Sequence, residues 1–241
     1  GLGFINRQIG QFQKAVDFYT MSLNFYKKKP NAILYELGAG ISEAMTKMRN
    51  AGQGVLVLEN IVKEYPPVTS FEKRTIAHAL GTCYRVLKRY DLAETHFLRY
   101  NEFQKVGKTI DPWWYRIMGQ LYTEWGKYEK ARPYLEKYMM HGSFSAGSLA
   151  HLHFLFYKVD SAAGNYLSAM DHLMKNKALD DSVYREAKVR ENRELQIKYE
   201  TEKSMISASF RICLDTEHAL SETCIKEVNH RTSLNEVMLG N

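Results

Sequence analysis

Apolar positions recur at three- and four-residue intervals over most of the chain, and no long window shows the strict alternation of a strand. The pattern therefore predicts helices joined by short breaks. Two stretches, "ALGTCYRVLKRYDLAETHFLRY" and "IMGQLYTEWGKYEKARPYLEKY", align without a gap, pairing Gly81 with Gly119, Tyr84 with Tyr122, Tyr90 with Tyr128, Ala93 with Ala131 and Tyr100 with Tyr138. The two glycines are 38 residues apart, and in each copy the small residue Ala93 or Ala131 follows 12 positions on. A glycine inside a helix costs about 1 kcal/mol relative to Ala, so its recurrence calls for close approach of a second helix. Ala93 and Ala131 are expected on that facing helix, with Tyr84, Phe97, Tyr122 and Tyr138 filling the space around the contact. "LKRYD" and "WGKYE" supply the turns, so each copy reads as a helical hairpin.

Three further copies are looser. "LGFINRQIGQFQKAVDFYTMSLNFYKKKP" fits from Gly3 through Ala15 and Tyr19 to Pro30. "ELGAGISEAMTKMRNAGQGVLVLENIVKEYPP" keeps Gly38, Leu58, Ile61 and Pro66, with a longer first helix expected and Gly54 where Ala stands elsewhere. A fifth, "HFLFYKVDSAAGNYLSAMDHLMKNKAL", keeps Gly164, Tyr166 and Ala169. "TIDPWW" offers Asp111 as an N-cap and Pro112 at the first helical position, while "KEYPPVTS" and "HGSFSAGS" break the pattern between hairpins.

These residues resemble the tetratricopeptide repeat (TPR), whose signature combines small residues, aromatics and a glycine at similar spacing. That resemblance implies an all-α fold: a TPR-like helical-hairpin solenoid over residues 1–179, followed by a long C-terminal helix. It also implies a concave groove lined by the first helix of each hairpin, with Tyr35, His78, Arg85, Trp113, Arg116 and Gln120 as the candidates for binding a peptide or protein partner. An aromatic at helical spacing is more often packing than contact, which applies to Tyr35 and Trp113.

Composition narrows the rest. With 241 residues, 45% of them hydrophobic, the chain has enough apolar material for a sizeable core. Its 33 basic residues against 27 acidic ones are spread out, with Lys27-Lys28-Lys29 the one local block, and this argues against nucleic acid. Three cysteines, Cys83, Cys213 and Cys224, make no complete disulfide framework and point to a reducing compartment. No run of eighteen apolar residues appears, so no membrane span is expected. The opening "GLGFINRQIG" has no initiator Met and starts like the inside of a helix, as if the native N-terminus lay further upstream.

After Leu179 the chain becomes a charged segment over 180–203, with Asp180, Asp181 and Ser182 as capping oxygens and Glu186, Arg190, Glu194 and Lys198 four apart on a solvated face. The run from "YKVDSAAGNY" to "KYETEK" resembles the end of the TPR sensor region in Bacteroidetes-type two-component histidine kinases, through Asp160, Gly164, Tyr166, Ala169, Asp181, Ser182, Tyr199, Thr201 and Lys203. Residues 204–241 then open what that resemblance makes a dimerisation and phosphoacceptor helix. There "KEVNHR" is similar to the first half of a phosphoacceptor box, although "TSLNE" departs from its second half.

By that resemblance His230 is the phosphoryl acceptor, Arg231 an electrostatic helper and Glu227, three residues earlier on a helix, an orienting group. It further implies a homodimer through the C-terminal helix, a response regulator as partner and a cytoplasmic location. No ATP-binding motif follows before Asn241, so no cofactor is expected in this chain, and ATP with Mg would enter through a downstream kinase domain. A non-catalytic TPR scaffold is the alternative. Cys213, His218, Cys224 and His230 match no common zinc spacing, and no metal site is expected. In "HLH" the rings of His151 and His153 are two apart and point to different sides of a helix, as core or surface histidines.

Overall fold

The computed structural model describes residues 1–28, 31–104 and 111–215. These residues form ten helices: α1 (Leu2–Gln8), α2 (Phe12–Tyr26), α3 (Ala32–Lys47), α4 (Ala51–Glu64), α5 (Ser70–Val86), α6 (Tyr90–Gln104), α7 (Pro112–Glu124), α8 (Tyr128–His141), α9 (Ala146–Ala162) and α10 (Tyr166–Asp215). By internal contacts the chain divides into two compact units, the first being Gly1–Leu179 and the second beginning at Asp180. Within the first unit, α1 packs on α2, α3 on α4, α5 on α6 and α7 on α8, while α3 touches α5, α6 touches α7 and α7 touches α9.

The starts of the helices have local causes. Asn31, Asp111 and Ser145 accept backbone N–H groups in the first turns of α3, α7 and α9, and Pro112 begins α7 without forfeiting a helical hydrogen bond. At α5 the Thr69 hydroxyl accepts from Glu72 N at 3.2 Å while the Glu72 carboxylate accepts from Thr69 N at 3.0 Å, a reciprocal capping box.

Each hairpin turn contains one residue with positive φ: Gly10 (79°), Arg49 (62°), Lys88 (58°), Gly126 (78°) and Gly164 (77°). Successive members are 39, 39, 38 and 38 residues apart, so the backbone repeats five times even where the sequence signature is weak. At two of the five, a side chain occupies a conformation that glycine adopts without steric cost. Lys88→Gly is therefore expected to stabilise the protein by about 0.5–1 kcal/mol, the left-handed strain relieved less the added freedom of the unfolded chain. Gly126→Ala should shift stability the other way. Urea midpoints measure both, and an unchanged midpoint for Lys88→Gly would refute a strained turn.

The helical glycines mark close packing. A Cβ on Gly81 would meet the Phe97 ring 2.5 Å away, and one on Gly119 would collide with Leu135. The partner of each glycine is thus the large residue four positions after Ala93 or Ala131, while the two alanines are themselves fully buried. In the second hairpin the expected register is corrected. Its first helix is 16 residues, no longer than the 17 of α5, and Gly54 packs against Ser42 whereas Gly38 faces Ile61. The small–small contact thus lies at Ser42, one helical turn beyond Gly38 and 12 residues before Gly54, as Gly81 stands 12 before Ala93.

Two buried clusters fill the first unit. One runs from Ala15 through Leu34, Ile41, Leu58 and Ile76 to Cys83, the other from Ala77 through Phe97, Met118, Leu121 and Leu135 to Val159, and Tyr84 packs against both. At the last hairpin the packing is polar. Asp160, 1% exposed, accepts from Ser168 Oγ at 2.6 Å and from the Arg132 guanidinium. Burial alone would raise its carboxyl pKa, but Ser168 and Arg132 outweigh that and hold it below the usual carboxylate range. His153 Nδ1 lies 2.8 Å from His172 Nδ1, a contact that requires at least one of the rings to be neutral.

Helix α10 is continuous through Asp180, Asp181 and Ser182, so these residues do not cap a separate helix. Nothing at that point removes a backbone donor or demands positive φ, and the helical pattern carries on. Over 183–200 its side chains are mostly exposed, with Lys188 Nζ 2.8 Å from the Glu191 carboxylate. Among the described residues no helix is long and apolar enough to cross a membrane.

Candidate functional site

On α7 the apolar side formed by Trp114, Ile117, Met118 and Leu121 is buried, which leaves Trp113, Arg116, Gln120 and Glu124 together on another side at helical spacing. Helix α5 contributes Arg74, His78 and Arg85, and α9 contributes His151 and Lys158. Arg85 Nη1 donates to both carboxylate oxygens of Glu124, at 2.6 and 2.7 Å, and Gln120 Nε2 donates to Glu124 Oε1 at 2.8 Å. The Arg116 guanidinium lies 4.3 Å from the centre of the Trp113 ring, and Trp113 itself is 42% exposed.

His78 sits beside the Phe97 and Tyr100 rings, with centroids 6.3 and 5.5 Å away. Burial, reinforced by the charges of Arg85, Arg116 and Arg74, pushes its pKa down to about 4, so its imidazole is neutral at pH 7. His151 is lowered by burial and by Arg116, with Glu124 opposing. Burial likewise lowers Arg116, which still remains a cation. The surface formed here has neutral imidazoles, a stacked guanidinium, an amide and one carboxylate tied to an arginine. Among the described residues no nucleophile with an activating base is assembled here, and such a surface is suited to recognition.

Five of the six sequence-predicted groove residues, His78, Arg85, Trp113, Arg116 and Gln120, lie on α5 and α7 around this cluster. Tyr35 does not join them: it is 5% exposed and its hydroxyl donates to the Tyr65 carbonyl at 3.1 Å, a packing role between α3 and the end of α4. Glu124, His151, Lys158 and Arg74 were not signalled by the repeat pattern. A hint for Glu124 was present, since it lies four residues after Gln120 on one helical side. His151 faces this cluster while His153 faces His172, as their two-residue separation requires.

His230, Arg231 and Glu227 lie outside the described residues, as do His218 and Cys224. Among the described residues no group of three His, Cys, Asp or Glu side chains converges as a metal site. An open pocket of about 490 Å³ lies elsewhere, at the α7–α8 turn and the end of α9, lined by Lys127, Lys130, Arg132, Val159 and Ala163.

The architecture is that of a TPR-like helical-hairpin solenoid. A family model described as tetratricopeptide repeat matches residues 115–139, most of α7 and α8. Among solved structures, BtubC (BKLC) from P. vanneervenii is similar at 16% identity with a TM-score of 0.59, covering 76% of this chain and 78% of that one. A Podosopora anserina protein with nearly identical TPR-like repeats is similar at 16% identity and a TM-score of 0.55, covering 76% of this chain and 93% of its own. At that identity the likeness concerns the fold. No curated protein matches the sequence.

Proposed function

We propose that this chain is a protein-binding scaffold whose partner segment lies along the α5, α7 and α9 faces, in contact with Trp113, Arg116, Gln120, Arg85 and His78. The observation that supports it is the Trp113–Arg116 stack, an exposed aromatic under a half-buried guanidinium with no catalytic group beside it. Exposed Trp and Arg are the residue types that dominate binding energy at protein interfaces. An Arg85→Ala, Arg116→Ala double variant is expected to lose a partner captured by the wild type. Equal capture by both proteins would move the binding surface elsewhere.

A finer reading makes the chain the sensor region of a two-component histidine kinase, with partner binding coupled to phosphotransfer at His230. Its support is the similarity of Asp160–Lys203 and of "KEVNHR" to that family. Homodimerisation through the C-terminal helix, a response regulator as partner and a cytoplasmic location all follow from this reading alone. Mixing the chain with a separately supplied kinase ATP-binding domain and radiolabelled ATP tests it: label should appear on the wild type and vanish in His230→Gln. Label that persists in that variant would reject His230 as acceptor.

A further inference from the structure

We infer that the partner segment is acidic, and that Glu124 occupies Arg85 in the free protein as a competing carboxylate which the partner displaces. This rests on the groove reading above and specifies the occupant and the regulation of that surface.

The charges are unbalanced. Among the described residues, the cations Arg74, Arg85, Arg116 and Lys158 act on His78 and His151, against the carboxylate of Glu124. Three of those cations lie against aromatic rings, Arg116 on Trp113 at 4.3 Å, Lys158 on Phe154 at 5.0 Å and Arg74 on Phe71 at 5.6 Å. Among the described residues, none of the three has a carboxylate within ion-pair distance. Arg116 is also desolvated, so its charge has lost water without gaining an anion. A carboxylate delivered by a partner would meet that need, and a lysine-rich segment would be repelled.

Arg85 is the exception, and its carboxylate is supplied from within the chain. Glu124 places both oxygens on a single guanidinium nitrogen, and Gln120 holds one of those oxygens from the same helix. With 19% and 28% of their side chains exposed, Arg85 and Glu124 form a pair that an incoming acid can reach. Glu124 is therefore both a mimic of the ligand and a rival to it. Displacing it leaves its charge near His151 and Tyr90, which lowers the net affinity for any acidic segment.

Fluorescence polarisation with a fluorescein-labelled hexaglutamate peptide tests this directly, with hexalysine and a six-residue Gly-Ser peptide alongside. Hexaglutamate should bind best; Arg116→Gln should weaken it about tenfold, with Arg116→Lys intermediate. Glu124→Gln should tighten it about fivefold, the scale of freeing one partly exposed ion pair. Glu129→Gln, a carboxylate removed on α8, should leave it unchanged. No gain from Glu124→Gln, or an equal gain from Glu129→Gln, overturns the competing role of Glu124. If the Gly-Ser probe binds as tightly as hexaglutamate and Arg116→Gln weakens both, groove binding stands and the acidic preference falls. If no probe moves the Trp113 indole signal in the NMR spectrum, both readings fall.

Discussion

Phe97→Ala is expected to cost about 3–5 kcal/mol, the range for removing a fully buried aromatic ring. Phe97 is 1% exposed, and its ring lies where a side chain on Gly81 would otherwise begin. The void left by the ring is bounded by the backbone of α5 at Gly81, which has no side chain to fill it. A double-mutant cycle makes the packing explicit. In the wild type, Gly81→Ala should destabilise, because the new methyl meets the ring and outweighs the gain in helix propensity. In the Phe97→Ala background the same change should stabilise by about 1 kcal/mol, since only the propensity remains. Denaturant unfolding of the four proteins reads the coupling, and additive effects would show that Gly81 is not there to admit Phe97.

The second large effect is on pH dependence. His78 has a folded-state pKa of about 4, below the ordinary value of 6.5, so between those limits the unfolded chain binds a proton that the folded chain refuses. Stability from this residue is complete above pH 6.5, is lost as pH falls from 6.5 to 4, and stays level below that. Over that window the loss is about 3 kcal/mol for one group, the shift converted at about 1.4 kcal/mol per pH unit. His96, His151, His153 and His172 are lowered in the same direction and add to the slope. His78→Phe keeps a ring against Phe97 and Tyr100 while removing the titration, so its stability should fall less steeply over the same window. Parallel profiles for the two proteins would exclude His78 as a source of acid sensitivity. Carboxylates with lowered pKa, such as Asp160 and Glu72, act at the acid end of this window and below it, which leaves its upper part to the histidines.

Legibility in the sequence followed the range of the interaction. The two central hairpins could be read because Gly81 and Gly119, with their aromatics, report a contact between helices that are neighbours in the chain. The second hairpin was misread in register, since Ser42 stands opposite Gly54 and an ordinary serine gives no sign of close packing. Arg49 and Lys88 hid two of the five left-handed turns behind side chains that seldom adopt that conformation. The groove residues of α5 and α7 could be placed from the repeat, yet Tyr35 is turned inward, its hydroxyl donating to the Tyr65 carbonyl 30 residues away, a contact that no local pattern signals.

Helix periodicity, hairpin turns, caps such as Asp111 and the recurrence near 38 residues are properties of short stretches, and the sequence by itself determined them. Only the tertiary structure decided the partners of those stretches. Arg85 and Glu124 are 39 residues apart and Arg132 and Asp160 are 28 apart, and no local pattern couples them. A charge written in a sequence has no partner until packing brings one within a few ångströms. Whether Arg85 is held by Glu124 while, among the described residues, Arg116 lacks a carboxylate is therefore settled by how the hairpins stack.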